Sequence, residues 1–321
     1  MKRMLAVLGA IVIGVALVWF FGPREPAVLG PVAVDVPGVE ALDDWAASTE
    51  TDVRPGAERR IVWAETVGQP TDIALVYLHG FSASAQEIAP VPQDVARTLG
   101  ANLYLARLTG QGQDGAAMAT ASVADWWRDT AEAIAVARKL GRQVVLIGTS
   151  TGATLAAEAA RDPDQKEQIA GVVMISPNFR VRNPAAGMLT WPFARLWVPL
   201  LAGRERCFQV LNDAHGAAWT SCYPTVSALP MAALVAHASQ GDYAEADQPV
   251  LTIWSDRDQV VDPNAALQKL EGWGGAVTLH AVYPGPEDDP FAHVVAGDIL
   301  SPSLNEEVTR AIVDWVTTAL R

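Results

Sequence analysis

Short apolar runs alternate with amphipathic stretches along most of the chain from Arg60 onward. The runs are rich in Val, Ile and Leu, which is typical of strands buried on both faces of a parallel sheet, and the stretches between them have helical spacing. The pattern therefore predicts an α/β fold with a mostly parallel central sheet and helices on both faces. The predicted strands are 61–67, 73–78, 102–106, 144–147, 172–175, 250–254 and 277–282, and the predicted helices are 85–99, 123–140, 152–161, 263–271 and 304–320.

The alternation stops once, between strands 172–175 and 250–254. An insertion that leaves the carboxyl end of a sheet strand lies over the ligand site, because ligands bind at those ends. We therefore expect a cap insertion at about 178–245 within a main domain at 60–321. Residues 23–59 carry Pro, Gly and acidic positions with little periodicity, and we interpret them as a stalk that approaches this domain.

The first residues form a different pattern: Lys2 and Arg3 precede nineteen uncharged residues, 4–22. At about 1.5 Å per residue this run nearly spans a hydrocarbon layer of roughly 30 Å. It ends in the bulky sequence Trp19-Phe20-Phe21 rather than in the small residues of a cleavage site. We predict a transmembrane anchor at 1–22, with the main domain on the extracytoplasmic (periplasmic or extracellular) side. A cleaved signal peptide, after which the protein would be secreted, and a buried helix are the alternatives.

Charge and cysteine content add two expectations. Without Lys2 and Arg3, the chain has 21 basic and 36 acidic residues, a net charge of −15, which repels nucleic acid and anionic headgroups. We therefore expect no nucleic-acid partner. Cys207 and Cys222 are fifteen positions apart, and outside the cytoplasm they are predicted to form a disulfide. Two buried free thiols are the alternative.

The sequence Gly148-Thr149-Ser150-Thr151-Gly152 joins a predicted strand to a predicted helix. This is G-x-S-x-G, in which a tight turn exposes a serine at the end of the sheet and the glycines let the backbones pass closely. Ser150 is therefore the candidate nucleophile. The alternative is a glycine-rich turn without catalysis.

A nucleophilic hydroxyl needs a base, and the base needs an orienting acid. His293 follows strand 277–282 in a loop, and Asp258 follows strand 250–254, so chain order and position favour them as base and acid. Asp256 is the fallback acid, and Asp262 suits an N-cap role.

Two backbone N–H groups are expected to hold the oxyanion that the attack creates. Thr151 follows the nucleophile directly, and Phe81 belongs to the Leu78-His79-Gly80-Phe81 segment at the end of another strand. No metal site is predicted, because the chain has no H-x-x-x-H or C-x-x-C motif and its carboxylates are scattered.

Together these segments resemble the α/β-hydrolase superfamily, in particular its serine carboxylesterases and monoacylglycerol lipases, over about 60–320. The resemblance implies a Ser-Asp-His acyl-enzyme mechanism, no cofactor and small-molecule or lipid ester substrates. The cap offers Met188, Trp191, Leu196 and Trp197 as apolar surface for an acyl chain, or these residues pack the cap onto the core. Four alternatives stay open: an exported acyltransferase with the same triad, amide hydrolysis, perhydrolysis, and a membrane-tethered binding protein on a non-catalytic scaffold.

Overall fold

The computed structural model describes residues 2–320, and a seven-stranded sheet lies at its centre. The strands are β1 (Arg60–Val62), β2 (Thr71–Leu78), β3 (Asn102–Leu105), β4 (Gly141–Thr149), β5 (Gly171–Ile175), β6 (Glu205–Cys207), β7 (Cys222–Pro224), β8 (Val250–Trp254) and β9 (Val277–Ala281). The central order is β1-β3-β2-β4-β5-β8-β9, and β6 and β7 form a separate hairpin. Neighbouring central strands are parallel except for β1, which pairs antiparallel with β3.

The sheet is buried because its strands are apolar on both faces, as the pattern predicts. Residues 144–147 of β4, for example, are each at most 1 % exposed. All seven predicted strands of the sheet are present. The first is shorter than the predicted 61–67, because the chain leaves β3 after Val62 and passes through a turn with Gly68 at a φ of +79°.

Helices cover both faces of the sheet. Those in the described residues are α1 (Lys2–Phe21), α2 (Leu42–Ser48), α3 (Val91–Leu99), α4 (Gly115–Met118), α5 (Val123–Leu140), α6 (Thr151–Arg161), α7 (Ala194–Leu201), α8 (Asp213–Ala218), α9 (Ala228–Gln240), α10 (Pro263–Leu270) and α11 (Asn305–Ala319). One core contains side chains from α5, α6, α9 and α10, and the other contains side chains from α3 and α11. Helix α3 starts at Val91 instead of residue 85, because Pro90 disfavours helical geometry at the residue before it.

The segment interpreted as a stalk packs against the main domain over much of its length. Helix α2 buries Leu42 completely, and Trp127 Nε1 donates a 2.8 Å hydrogen bond to the carbonyl of Gly30. Glu50 forms buried ion pairs with Arg59 at 2.7 Å and Arg107 at 2.6 Å. These contacts hold most of residues 23–59 on the domain, so the segment does not stand apart from it.

The insertion between β5 and β8 has two parts. Its last helix, α9, packs on α6, and its Leu234 belongs to the core that α9 shares with α5, α6 and α10. The covering part is therefore shorter than the predicted 178–245, and the name cap below means residues 178–227. It contains α7, α8 and the β6–β7 hairpin, which a disulfide between Cys207 and Cys222 closes.

Helix α1 is long and apolar enough to cross a membrane by length and composition, and none of this span is buried in the protein. In the last turn of α1 and just beyond its end, the chain contacts the cap. The indole rings of Trp19 and Trp191 lie 5.5 Å apart, and the Phe193 amide donates to the carbonyl of Pro23 at 2.7 Å.

Candidate active site

Ser150 lies on the turn between β4 and α6, with a φ of +52° that a residue with a side chain seldom adopts. The flanking glycines make this turn possible. A Cβ atom on Gly148 would lie 2.5 Å from the carbonyl oxygen of Gly152, and one on Gly152 would lie 2.0 Å from that of Leu78. The absence of side chains at both positions therefore lets the turn pack against the end of β2.

The candidate acid and base are in contact, because His293 Nδ1 and Asp258 Oδ2 lie 2.7 Å apart. Asp258 is 1 % exposed, and its Oδ1 accepts hydrogen bonds from the amides of Val260 and Val261 at 2.8 and 2.9 Å. Burial lowers the pKa of His293, but the charge and hydrogen bond of Asp258, together with the charges of Asp289 and Glu87, raise the pKa above its ordinary value. The second ring nitrogen, Nε2, is left to exchange a proton with a nucleophile.

The other candidate acids lie elsewhere. Asp256 is exposed, and its carboxylate accepts a 2.9 Å hydrogen bond from Trp254 Nε1. Asp262 caps α10 through the amide of Asn264 at 3.1 Å, in the N-cap role that the sequence suggests. Asp258 is thus the aspartate of this loop that is paired with the histidine.

The strand ends bring the loops of Ser150 and His293 together. The Ser150 amide donates to the carbonyl of Ile175 at 2.9 Å, and the Ser176 amide donates to that of Ile253 at 2.8 Å. Ser176 Oγ in turn donates to the His293 carbonyl at 2.6 Å. Within residues 2–320, no hydrogen bond joins Ser150 Oγ to the imidazole, a contact that in many hydrolases tightens only with bound substrate.

Asp289 organises the histidine loop, a role that sequence reasoning missed. Its Oδ2 accepts hydrogen bonds from the amides of His293 at 2.9 Å and Val294 at 2.8 Å. Its own amide donates to Ser301 Oγ at 3.1 Å. No motif identifies this aspartate, because its partners are the backbone of its own loop and a serine twelve residues further on.

The two predicted oxyanion donors, the amides of Phe81 and Thr151, donate no hydrogen bond to another group within residues 2–320. His79 fixes the Gly80–Phe81 peptide, since His79 Nδ1 donates to the Gly80 carbonyl at 2.9 Å while His79 Nε2 accepts from the Leu108 amide at 3.1 Å. Burial lowers the pKa of His79 to about 4, so the ring is neutral, as this pattern requires. Because a peptide is planar, holding the carbonyl also orients the Phe81 N–H.

Glu87 contacts the preceding peptide, His79–Gly80, and is 2 % exposed. Its Oε1 accepts hydrogen bonds from the Gly80 amide at 2.5 Å and from the Tyr77 hydroxyl at 2.6 Å. Burial raises the pKa of Glu87 to about 7 despite these donors. The sequence shows only two separate acids, Glu87 and Asp94, in the predicted helix 85–99. No local signal places Glu87 next to the predicted oxyanion loop, a name that below means residues 78–82.

The cap packs on the predicted oxyanion loop, but through residues other than those that the sequence suggests. The Tyr223 ring lies edge-on to Phe81 at 5.4 Å, and the Thr220 amide donates to the Ser82 carbonyl at 2.7 Å. Ser150 is only 7 % exposed. By contrast, Leu196 is 68 % exposed, so it forms part of the outer surface of the cap rather than a closed acyl cradle.

The chain was compared with families and curated proteins. The profile of the family described as serine aminopeptidase, S33, matches residues 69–287, about two thirds of the chain. The comparison with curated proteins found no match.

Solved structures resemble the chain over most of its length. A lipolytic enzyme from the metagenome-derived pair LipS and LipT is 23 % identical with a TM-score of 0.66, over 83 % of this chain and 99 % of that one. The monoacylglycerol lipase of Paleococcus ferrophilus is 16 % identical with a TM-score of 0.56, over 81 % and 98 %. Est1E of Butyrivibrio proteoclasticus, solved with ferulic acid bound, is 15 % identical with a TM-score of 0.55, over 82 % and 95 %. At these identities the likeness concerns the fold.

Proposed function

The chain belongs to the serine aminopeptidase S33 family and has the α/β-hydrolase fold, and from this premise we propose that it hydrolyses carboxylic esters through an acyl-enzyme on Ser150. Asp258 and His293 act as orienting acid and general base. The observation that carries the proposal is the 2.7 Å pair of His293 Nδ1 and Asp258 Oδ2 at the same sheet edge as a strained serine turn.

In the first half-reaction, Ser150 Oγ attacks the ester carbonyl carbon while His293 Nε2 takes the hydroxyl proton. Asp258 keeps the imidazole in the tautomer with hydrogen on Nδ1 and stabilises the cation that forms. The amides of Phe81 and Thr151 donate to the carbonyl oxygen as it becomes negative. The imidazolium then protonates the leaving alcohol, and the acyl group stays on Ser150.

The second half-reaction repeats these roles with water. His293 Nε2 takes a proton from the water that attacks the acyl carbon, and the same two amides bind the new oxyanion. When the intermediate collapses, the imidazolium returns the proton to Ser150 Oγ and the carboxylic acid leaves. His293 thus donates every proton that it accepts within the same half-reaction.

The ester as substrate class is supported by the related folds, which include proteins described as lipolytic enzymes and as a monoacylglycerol lipase. The ring of Tyr223 in the cap packs on that of Phe81, and this aromatic surface suits an apolar acyl or alcohol group. We therefore expect esters with an apolar part.

The proposal includes the site of action. Helix α1 serves as a retained anchor, and the main domain lies on the extracytoplasmic side, where the Cys207–Cys222 disulfide can persist. The packing of Trp19 and Pro23 on the cap supports a retained helix, since cleavage after α1 would remove the contact between Trp19 and the cap.

The test is steady-state hydrolysis of p-nitrophenyl esters from acetyl to palmitoyl by the full chain in detergent, with Ser150→Ala as control. Leucine p-nitroanilide, included for the family's description, separates ester from aminopeptidase activity. We expect ester turnover that Ser150→Ala abolishes. Turnover that survives in this variant, or turnover of the anilide alone, would contradict the proposal.

A further inference from the structure

An apolar surface on the outside of the cap has no partner within residues 2–320. It consists of Leu196, Leu200 and Leu201, which are 68 %, 79 % and 77 % exposed, and we call it the leucine patch. Leu196 and Leu200 lie on one face of α7, and Leu201 is exposed at the last residue of the helix. The opposite face buries Ala194 and Val198 against Leu229, so the leucines are not needed to fold the cap.

The patch begins directly beside the end of α1. The Phe193 amide donates to the Pro23 carbonyl at 2.7 Å, and Arg195 forms a bidentate ion pair with Glu25 at 2.7 and 2.6 Å. The Glu25 side chain is only 4 % exposed in this contact. Helix α7 is eight residues long, so at about 1.5 Å per residue every leucine of the patch lies within roughly 12 Å of this junction along the helix.

The charge of the same region is opposite to that of the chain as a whole. Residues 178–206 contain five arginines and one glutamate, with no lysine or aspartate, whereas the whole chain has a net charge of −13. Two of these arginines pair with acids outside this range, and the others leave it basic. Arg204 and Arg206 are exposed and follow the leucines directly. Exposed leucines flanked by arginines are typical of segments that lie in a membrane interface, with apolar side chains below the headgroups and cations on the phosphates.

We propose that the leucine patch lies on the surface of the bilayer in which α1 is anchored. Leu200 and Leu201 enter the boundary between headgroups and acyl chains, and Arg204 and Arg206 bind lipid phosphates. The inference rests on the proposed anchor and esterase activity and adds a consequence. The cap is docked on the membrane, so esters dissolved in the bilayer meet the enzyme at the element that packs on Phe81 and Ser82.

The direct test is photocrosslinking of the full chain in vesicles of phosphatidylcholine and phosphatidylglycerol. p-Benzoylphenylalanine replaces Leu200, and in the control it replaces Val67, which is 65 % exposed in the turn that precedes β2. We expect a lipid adduct at position 200 and none at position 67. No lipid adduct, or a crosslink to a second copy of the chain, would overturn the proposal, provided that the protein floats with the vesicles.

The functional test compares the double variant Leu200→Glu, Leu201→Glu with Val67→Glu. For the double variant we expect turnover of a long-chain ester embedded in vesicles to fall at least about tenfold, while hydrolysis of water-soluble p-nitrophenyl acetate is unchanged. Equal loss on both substrates, or no loss on either, contradicts membrane docking. Absence of acetate hydrolysis by the wild type would instead refute the esterase activity, and failure to float would refute the anchor.

Discussion

Glu87→Gln tests the electrostatics beneath the oxyanion loop. Burial raises the pKa of Glu87 from 4.5 to about 7, which corresponds to roughly 3 kcal/mol between its charged and neutral forms in the folded protein. A raised pKa means that the folded state prefers the protonated acid. The contribution of protonated Glu87 to the free energy of unfolding is therefore complete below pH 4.5 and is lost as the pH rises towards 7. Glutamine keeps an oxygen acceptor for the Gly80 and Tyr77 donors but cannot ionise.

The assay is urea unfolding of the full chain in detergent at several pH values from about 4 to 8. Between these limits, the free energy of unfolding of the wild type should fall by about 3 kcal/mol more than that of Glu87→Gln. A constant offset from repacking the amide does not affect this difference, and Asp129, whose pKa burial raises to about 6, titrates in both proteins. Glu306→Gln, which alters a carboxylate that is 90 % exposed, is the control and should follow the wild type. Parallel curves for wild type and Glu87→Gln would refute the reasoning.

Three further predictions concern the triad and the cap. Asp258→Asn should lower kcat by about 10⁴ because the imidazole adopts the wrong tautomer, whereas Asp256→Asn should stay near wild type; the reverse order would identify the wrong acid. The acidic limb of the kcat/KM profile should have its midpoint above pH 6.5, the ordinary value for a histidine, because Asp258 and the other nearby carboxylates together outweigh burial and raise the pKa of His293; a midpoint below that value contradicts this. Reducing the exposed Cys207–Cys222 bridge, whose cysteines are 15 positions apart, should lower the free energy of unfolding by at most about 3 kcal/mol, and an unchanged melting temperature would speak against a structural role.

The sequence predicts the sheet well because its signals are local. Each strand of the sheet is a short apolar run, and Gly148 and Gly152 are spaced as the close approach of β4, α6 and β2 requires. Ser150, Asp258 and His293 each follow a strand, and parallel strands bring such loops to one edge. The predicted resemblance to α/β hydrolases is confirmed by the family match over 69–287.

The remaining features depend on contacts between distant residues. Glu87 acquires its environment from Tyr77 and Gly80, and Glu50 pairs with Arg107, 57 positions away. Composition also cannot tell which face of a cap helix turns inward. It therefore could not show that Leu196 is a surface residue instead of part of a closed acyl cradle. For the same reason a seven-residue helix such as α2 cannot be recognised as part of the domain before its packing is known.

The central claim, that Ser150 is the nucleophile, is tested most directly by covalent capture. The full chain is treated with a p-nitrophenyl alkylphosphonate, which phosphonylates an activated serine, and the modified peptide is located by mass spectrometry. We predict a single adduct on Ser150, absent in Ser150→Ala and strongly slowed in Asp258→Asn. An adduct on another residue, or an unmodified Ser150 in protein that hydrolyses esters, would contradict the account.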